Sequence, residues 1–240
     1  VGDLALAPDG AVWVSSGTTV AVYRDGSWTR AWSAPSGTAL RGLVAAPDGT
    51  VWVGQDRELV GLRQEGDRYV SRSLQCPWIF SRLAVTTDGT IYAGSFSYSD
   101  GPGGLARSDG VTCEFVDAVG DGKVHEVSEL SAGPAGSLLA IVFDGLGAVC
   151  PCRAWTVIVR DGRWSTISGP TVDAGVDVGQ IMDRGGHPWR IAGGALQRYA
   201  AGIWRTVAPS ALALAMAPDG VLWYETDRGL ERIQTDEVGG

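Results

Sequence analysis

The sequence has no asparagine and a single lysine, Lys123, set against 18 arginines. Without asparagine there is no acceptor for N-glycosylation. Histidine is scarce: His125 and His187 stand alone, neither with a second histidine nearby in sequence. Long apolar runs are missing as well. The longest, Ala211 to Ala217, is rich in alanine and far short of the ~20 residues a bilayer span needs. Basic charge is in deficit, with 19 Lys and Arg against 27 Asp and Glu and a net charge of −8. That balance argues against duplex nucleic acid, which wants a basic face, and against anionic membrane surfaces. What remains is a chain with 45% hydrophobic residues, enough to form a core. It starts at Val1, already inside a pattern, and is expected to be part of a larger protein.

That pattern is an internal repeat of about 40 residues. One glycine per copy aligns it: Gly10, Gly49, Gly89, Gly136, Gly186 and Gly220. Pro-Asp-Gly precedes or includes three of them, at 8–10, 47–49 and 218–220, and Thr87-Asp88-Gly89 supplies a fourth turn. Three residues on comes a large side chain: Trp13, Trp52, Tyr92, Leu139, Trp189 and Trp223. A second signature follows, apolar-x-apolar-Arg, then an Asp-Gly turn and an aromatic, as in Val22-Tyr23-Arg24-Asp25-Gly26 with Trp28 and Ile158-Val159-Arg160-Asp161-Gly162 with Trp164. Asp-Gly supplies the positive φ of a tight hairpin, and the flanking segments are rich in β-formers. Each copy therefore reads as four antiparallel strands, a to d, with the small apolar strand a innermost.

Six such copies predict an all-β, six-bladed β-propeller in a single domain, residues 1–240, with blades near 1–39, 40–79, 80–125, 126–175, 176–209 and 210–240. A flat sandwich would not demand this register. The sixth copy matches the first without a gap, Trp223 on Trp13 and Ile233 on Tyr23, and stops before strand d. The last blade is thus expected to lack its outer strand within this chain.

Pro-Asp-Gly-x-Val-Trp-Val followed by Arg-Asp-Gly-x-Trp resembles the two-component-regulator propeller repeat, and is similar to the propeller of streptogramin (virginiamycin B) lyases. The resemblance spans nearly the whole chain. It implies either an extracellular sensing domain or an enzyme that uses histidine and magnesium. His125 and His187 do not match the lyase pattern, so no catalytic residue is carried over.

In this strand order the Asp-Gly turns share one face, and the b–c and d–a loops share the other. Function is expected on the loop face, where the connections are irregular. Just before strand a, near the axis, stand Asp3, Arg82 and Glu129, with Arg41 and Asp177 slightly earlier. Trp78 and Phe80, after Cys76-Pro77, either anchor a ligand or cover the seam between blades two and three. Candidate ligand-binding residues are therefore Arg41, Trp78, Phe80, Arg82, Glu129 and Asp177. His125, Glu126 and Glu129 form the nearest approach to a catalytic or cation-binding cluster. No recognisable oxygen-ligand loop surrounds Asp100 or Asp144, so no metal or cofactor is assigned. His187 reads as a structural turn residue.

The leading functional reading is a non-catalytic recognition or sensing module that binds a protein, glycan or small ligand. The alternatives are a lyase- or hydrolase-type enzyme with a polar site at the channel mouth, and an assembly domain. The cysteines, Cys76, Cys113, Cys150 and Cys152, are even in number and suit disulfides in an extracytoplasmic or secreted protein. Four cysteines allow three pairings, and the sequence leaves the choice open. Titration of the unfolded, unreduced protein with a thiol reagent should find close to no free thiol. A full complement of free thiols would remove both the disulfides and the export they imply.

Overall fold

The computed structural model describes residues 2–35, 37–76, 80–95, 104–116, 126–144, 153–160, 163–171, 179–217 and 219–235. These form six antiparallel sheets, and the chain is a six-bladed β-propeller. Blade one holds β1 (Leu4–Leu6), β2 (Val12–Ser16), β3 (Thr19–Arg24) and β4 (Ser27–Ser33). Blade two holds β5 (Leu40–Ala45), β6 (Val51–Gln55), β7 (Glu58–Glu65) and β8 (Arg68–Gln75). Blade three holds β9 (Arg82–Val85), β10 (Ile91–Ser95), β11 (Gly104–Ser108) and β12 (Cys113–Val116). Blade four holds β13 (Glu126–Ala132), β14 (Leu138–Asp144), β15 (Arg153–Arg160) and β16 (Arg163–Thr171). Blade five holds β17 (Gln180–Met182), β18 (Pro188–Ala192), β19 (Ala195–Ala200) and β20 (Ile203–Ala208). Blade six has three strands, β21 (Ala213–Met216), β22 (Val221–Thr226) and β23 (Gly229–Gln234). Among the described residues it has no outer strand, in line with the sequence register.

The turn chemistry explains the uniform blades. All six alignment glycines have positive φ, from 71° at Gly136 to 90° at Gly220. The preceding aspartate closes the turn from its side chain: Asp9 Oδ1 accepts from Ala11 N–H at 3.0 Å, Asp48 Oδ1 from Thr50 N–H at 2.9 Å and Asp88 Oδ1 from Thr90 N–H at 3.1 Å. Only a residue tolerant of positive φ fits the turn, and only a short acceptor reaches back to the N–H two residues on.

Strand a of each blade lies nearest the axis, and these strands pack in succession: β1 on β5, β5 on β9, β9 on β13, β13 on β17 and β17 on β21. The cores are the seams between blades. Ala5, Trp13, Val20 and Val22 of blade one meet Leu43, Val51, Val53, Val60 and Leu62 of blade two. Trp52 and Leu59 on the opposite face of blade two meet Leu83, Ile91, Ala93 and Ala106 of blade three. Strand β6 is buried at every position, so its sequence does not alternate apolar with charged residues. The Trp52 indole lies over Gly61, its register partner on β7, where any Cβ would stand 2.9 Å from the ring.

The repeat tryptophans divide by strand. On strand b, Trp13, Trp52 and Trp189 are at most 2% exposed and Trp223 is half-buried, whereas Trp28 on outer strand β4 is 58% exposed. Trp52→Ala should therefore cost about 3–5 kcal/mol in a denaturant titration, and Trp28→Ala under about 1 kcal/mol. Equal losses would mean that the outer strand is as tightly packed as strand b.

Candidate functional site

The loop face is less irregular than the sequence suggests. The b–c connections of blades one, two, five and six are two-residue turns, at 17–18, 56–57, 193–194 and 227–228. Only blades three and four carry long ones, and their tips, 96–103 and 145–152, lie outside the described residues, as do His125, Trp78, Asp177, Cys150 and Cys152.

At the axis end of this face Arg41, Arg82 and Glu129 stand on the successive innermost strands β5, β9 and β13. Arg82 opens β9, Arg41 lies near the start of β5, and Glu129 sits at the bulge of β13, between the Val127↔Val142 and Leu130↔Ala140 pairs. In repeat register Glu129 and Arg82 occupy the same slot, one residue before the conserved-position leucines Leu130 and Leu83. Blade two fills that slot with Gly42, at a bulge of its own between Arg41 and Leu43. A Cβ on Gly42 would stand 2.9 Å from Leu83, so the adjoining blade closes over the glycine while Arg41 stays exposed. Burial raises the Glu129 carboxyl above its ordinary pKa, and the Arg82 charge opposes the shift. Arg82 Nη1 donates to the Ser81 carbonyl at 3.0 Å, which holds the guanidinium near the mouth. The result is a mixed-charge rim with one half-buried acid.

Two of the sequence expectations move. Phe80 is 1% exposed and packs with Cys76, Trp52, Leu59 and Leu83 in the seam between blades two and three. It is a seam residue here, and its backbone N–H donates to the Asp56 carbonyl at 3.3 Å. Glu126 is 4% exposed at the start of β13, so it offers no open carboxylate beside Glu129. Among the described residues no group of three or more His, Cys, Asp or Glu side chains is placed to hold a metal ion.

The cysteine pairing left open by the sequence is settled for one pair. Cys76, at the end of β8, is bonded to Cys113, which opens β12, with Cα atoms 5.3 Å apart. The bridge ties the outer strands of blades two and three beside Phe80. His187 belongs to the Asp-Gly turn face, in the a–b turn of blade five. The Asp183 carboxylate, 1% exposed, accepts from Trp189 Nε1 at 2.9 Å and from His187 N–H at 2.9 Å. His187 Nδ1 lies 3.0 Å from Arg198 Nη2. The histidine is thus part of a turn-locking network.

Sequence reasoning missed a cleft of about 730 Å³ on the loop side between blades one and two, lined by Trp32, Pro35, Gln55, Arg57, Glu58 and Gln75. The available signal was Trp32 itself, one of the tryptophans that no repeat position explains.

No protein-family model matches the chain, and no curated protein matches it. Solved structures do. The extracellular domain of the one-component system BT4673 from B. thetaiotaomicron is 17% identical with a TM-score of 0.67, over 97% of this chain and 31% of that one. Virginiamycin B lyase from Staphylococcus aureus is 16% identical with a TM-score of 0.68, over 98% of this chain and 81% of the lyase. XC5397, a gluconolactonase from Xanthomonas campestris, is 17% identical with a TM-score of 0.60, over 95% and 84%. The shared property is the propeller. This chain spans about a third of the BT4673 domain, and likeness at 16–17% identity to that domain, to a lyase and to a gluconolactonase shows the fold alone.

The raised Glu129 pKa fixes the sign of a pH effect. A carboxyl whose folded pKa lies above its unfolded value contributes stability below the ordinary glutamate range, and loses it as pH rises through the folded value. Glu129→Gln should therefore raise the thermal midpoint at pH 7, with the gain vanishing on acidification below the ordinary glutamate range. A loss of stability at pH 7 would show that the Arg82 attraction outweighs burial.

Proposed function

We propose that the chain is a non-catalytic recognition or sensing module that takes a small polar ligand at the axis end of the loop face, in an extracytoplasmic setting. The observation that carries this reading is the convergence of Arg41, Arg82 and the half-buried Glu129 on successive innermost strands. An arginine pair beside an acid of adjustable protonation suits a ligand that presents a carboxylate together with a hydroxyl or amine. The rigid blades hold these groups in place, so little ordering is needed on binding. The Cys76–Cys113 bridge and the shared fold with extracellular domains of sensor systems support the location.

A second reading, a lyase- or hydrolase-type enzyme, rests on Glu129 alone. A carboxyl pushed upward by burial is suited to general acid–base work, and lyase and lactonase propellers share the fold.

A thermal-shift screen of hydroxy acids, amino acids and sugar acids, followed by calorimetry, tests the proposal. At least one compound should stabilise the protein. Arg41→Ala with Arg82→Ala should weaken its binding at least tenfold and move the ligand-free midpoint by less than about 2 °C. A hit whose affinity the double substitution leaves unchanged, or a screen in which no compound stabilises the protein, refutes the rim as the site. Turnover of a hit that Glu129→Gln abolishes would favour the enzyme.

A further inference from the structure

Five seams join the six blades, and those between blades one and two, two and three, three and four, and five and six bury facing apolar surfaces. The outer faces of blades one and six carry the same surfaces and bury neither. On blade two the face toward blade one consists of Leu43, Val51, Val53, Val60 and Leu62, none more than 5% exposed. The corresponding residues of blade one, in repeat register, are Leu4, Val12, Val14, Ala21 and Tyr23. Of these Leu4 is 66% and Tyr23 39% exposed, and Leu6 beside them is 52% exposed. Val12, Val14 and Ala21 are only half-buried.

Blade six repeats the pattern from the other side. Its face toward blade five holds buried Leu222 and Tyr224. Its opposite face aligns Ala213, Ala215, Trp223, Arg232 and Leu230 through the register pairs Ala215↔Trp223, Trp223↔Arg232 and Glu225↔Leu230. Ala213 and Ala215 are exposed, Trp223 is half-buried, and Leu230 is 67% exposed. Trp13, Trp52 and Trp189 in the same repeat position are at most 2% exposed. The two faces do not cover each other: among the described residues the succession of innermost strands runs from β1 to β21, and β21 does not pack on β1 as the other neighbours pack. Among the described residues strand β23 also remains an edge.

We infer that the slot between blades six and one receives one further blade of the same repeat. The occupant follows from the position-by-position continuity with the four apolar seams already formed. A blade presents a Leu43-type face on one side and a Trp52-type face on the other. The first complements the Trp223 face of blade six, as blade two complements Trp13. The second complements the Leu4 face of blade one, as blade two complements Leu83. A second copy of the whole chain offers no such pair, because its own two open faces look into one slot. The lyase propeller agrees in size, since the part of it beyond the match is about a fifth of its length, room for roughly one repeat.

The experiment has two arms. In the 240-residue chain, Leu4→Asp should shift the thermal midpoint by less than about 2 °C, while Leu43→Asp at the equivalent buried position should abolish the cooperative transition. In an extended chain, a copy of residues 25–75 follows Gln234, continuing the register in which Ile233 matches Tyr23. That extension supplies an outer strand for blade six and one complete blade. The extended chain should be monomeric, should bind a hydrophobic dye several-fold less, and should now lose more than about 5 °C on Leu4→Asp. Spin labels at Leu4→Cys and Ala215→Cys of the unextended chain give a measurement that does not depend on the extension folding. Their separation should be well above the ~10 Å of two packed sheets. The inference is overturned by a separation near that value or by equal damage from Leu4→Asp and Leu43→Asp, since either means direct closure. A dimer of the unextended chain that Leu4→Asp dissociates overturns it in favour of a second copy. Undiminished dye binding by a folded extended chain overturns it too.

Discussion

Everything in this structure depends on the burial of both faces of the interior sheets. An antiparallel sheet with one solvated face alternates apolar and polar residues, but β6 is buried at all five positions and reads Val-Trp-Val-Gly-Gln. A four-stranded blade of this kind has no water-facing side and cannot exist alone, so blades must stack, and stacking around an axis makes a propeller. The same constraint selects the details. The large side chain of strand b needs room, and Gly61 opposite Trp52 provides it. The small side chains of strand a, such as Ala5 and Ala84, suit the narrow inner radius.

The fold was legible because its determinants are local and repeated. A turn that needs positive φ demands glycine, its closure demands a short acceptor, and both recur at a fixed offset from a buried aromatic. The site was less legible because its determinants are not local. Phe80 is an aromatic in a loop, which in sequence is equally a ligand platform or a seam plug. Only the packing of blade two on blade three, with the Cys76–Cys113 bridge beside it, decides for the plug. The bridge itself depends on which outer strands converge, something a count of cysteines cannot say. Trp32 was visible as a tryptophan without a repeat position. Its meaning required the neighbouring blade, which contributes Arg57, Glu58 and Gln75 to the same cleft.

The two ends of the propeller differ for a physical reason. At the turn end the backbone dictates the residues, and even the charged ones are committed: Asp183 to Trp189 and His187, Asp48 and Asp88 to their own turns. At the loop end the slot in the first part of strand a is constrained only by the closeness of the next blade. Gly42, Arg82 and Glu129 fill it in turn, three unrelated chemistries in one geometric position. A position that the fold leaves free is where side-chain chemistry can vary without cost to the scaffold, which is why the proposed function is placed at the rim.

The open faces of blades one and six bear on the same logic. Repeat arrays that end in solvent do so with polar capping units. Here the terminal faces keep the residue types of interior seams, with Leu4, Leu6, Leu230 and Trp223 where a cap would carry charge. Leaving a leucine at such a site forgoes about 1.5–3 kcal/mol that full burial would return, and several are left together on each face. The net charge of −8 opposes indiscriminate association, yet it does not cover apolar surface. Apolar side chains that obey the repeat register so closely, on faces where solvent would favour any polar residue, are residues shaped for contact with another blade. The rim and the slot are then linked through the axis. A further blade would bring its own residue to the position held by Arg82 and Glu129, and the charge pattern at the mouth would be completed by the same unit that closes the seam.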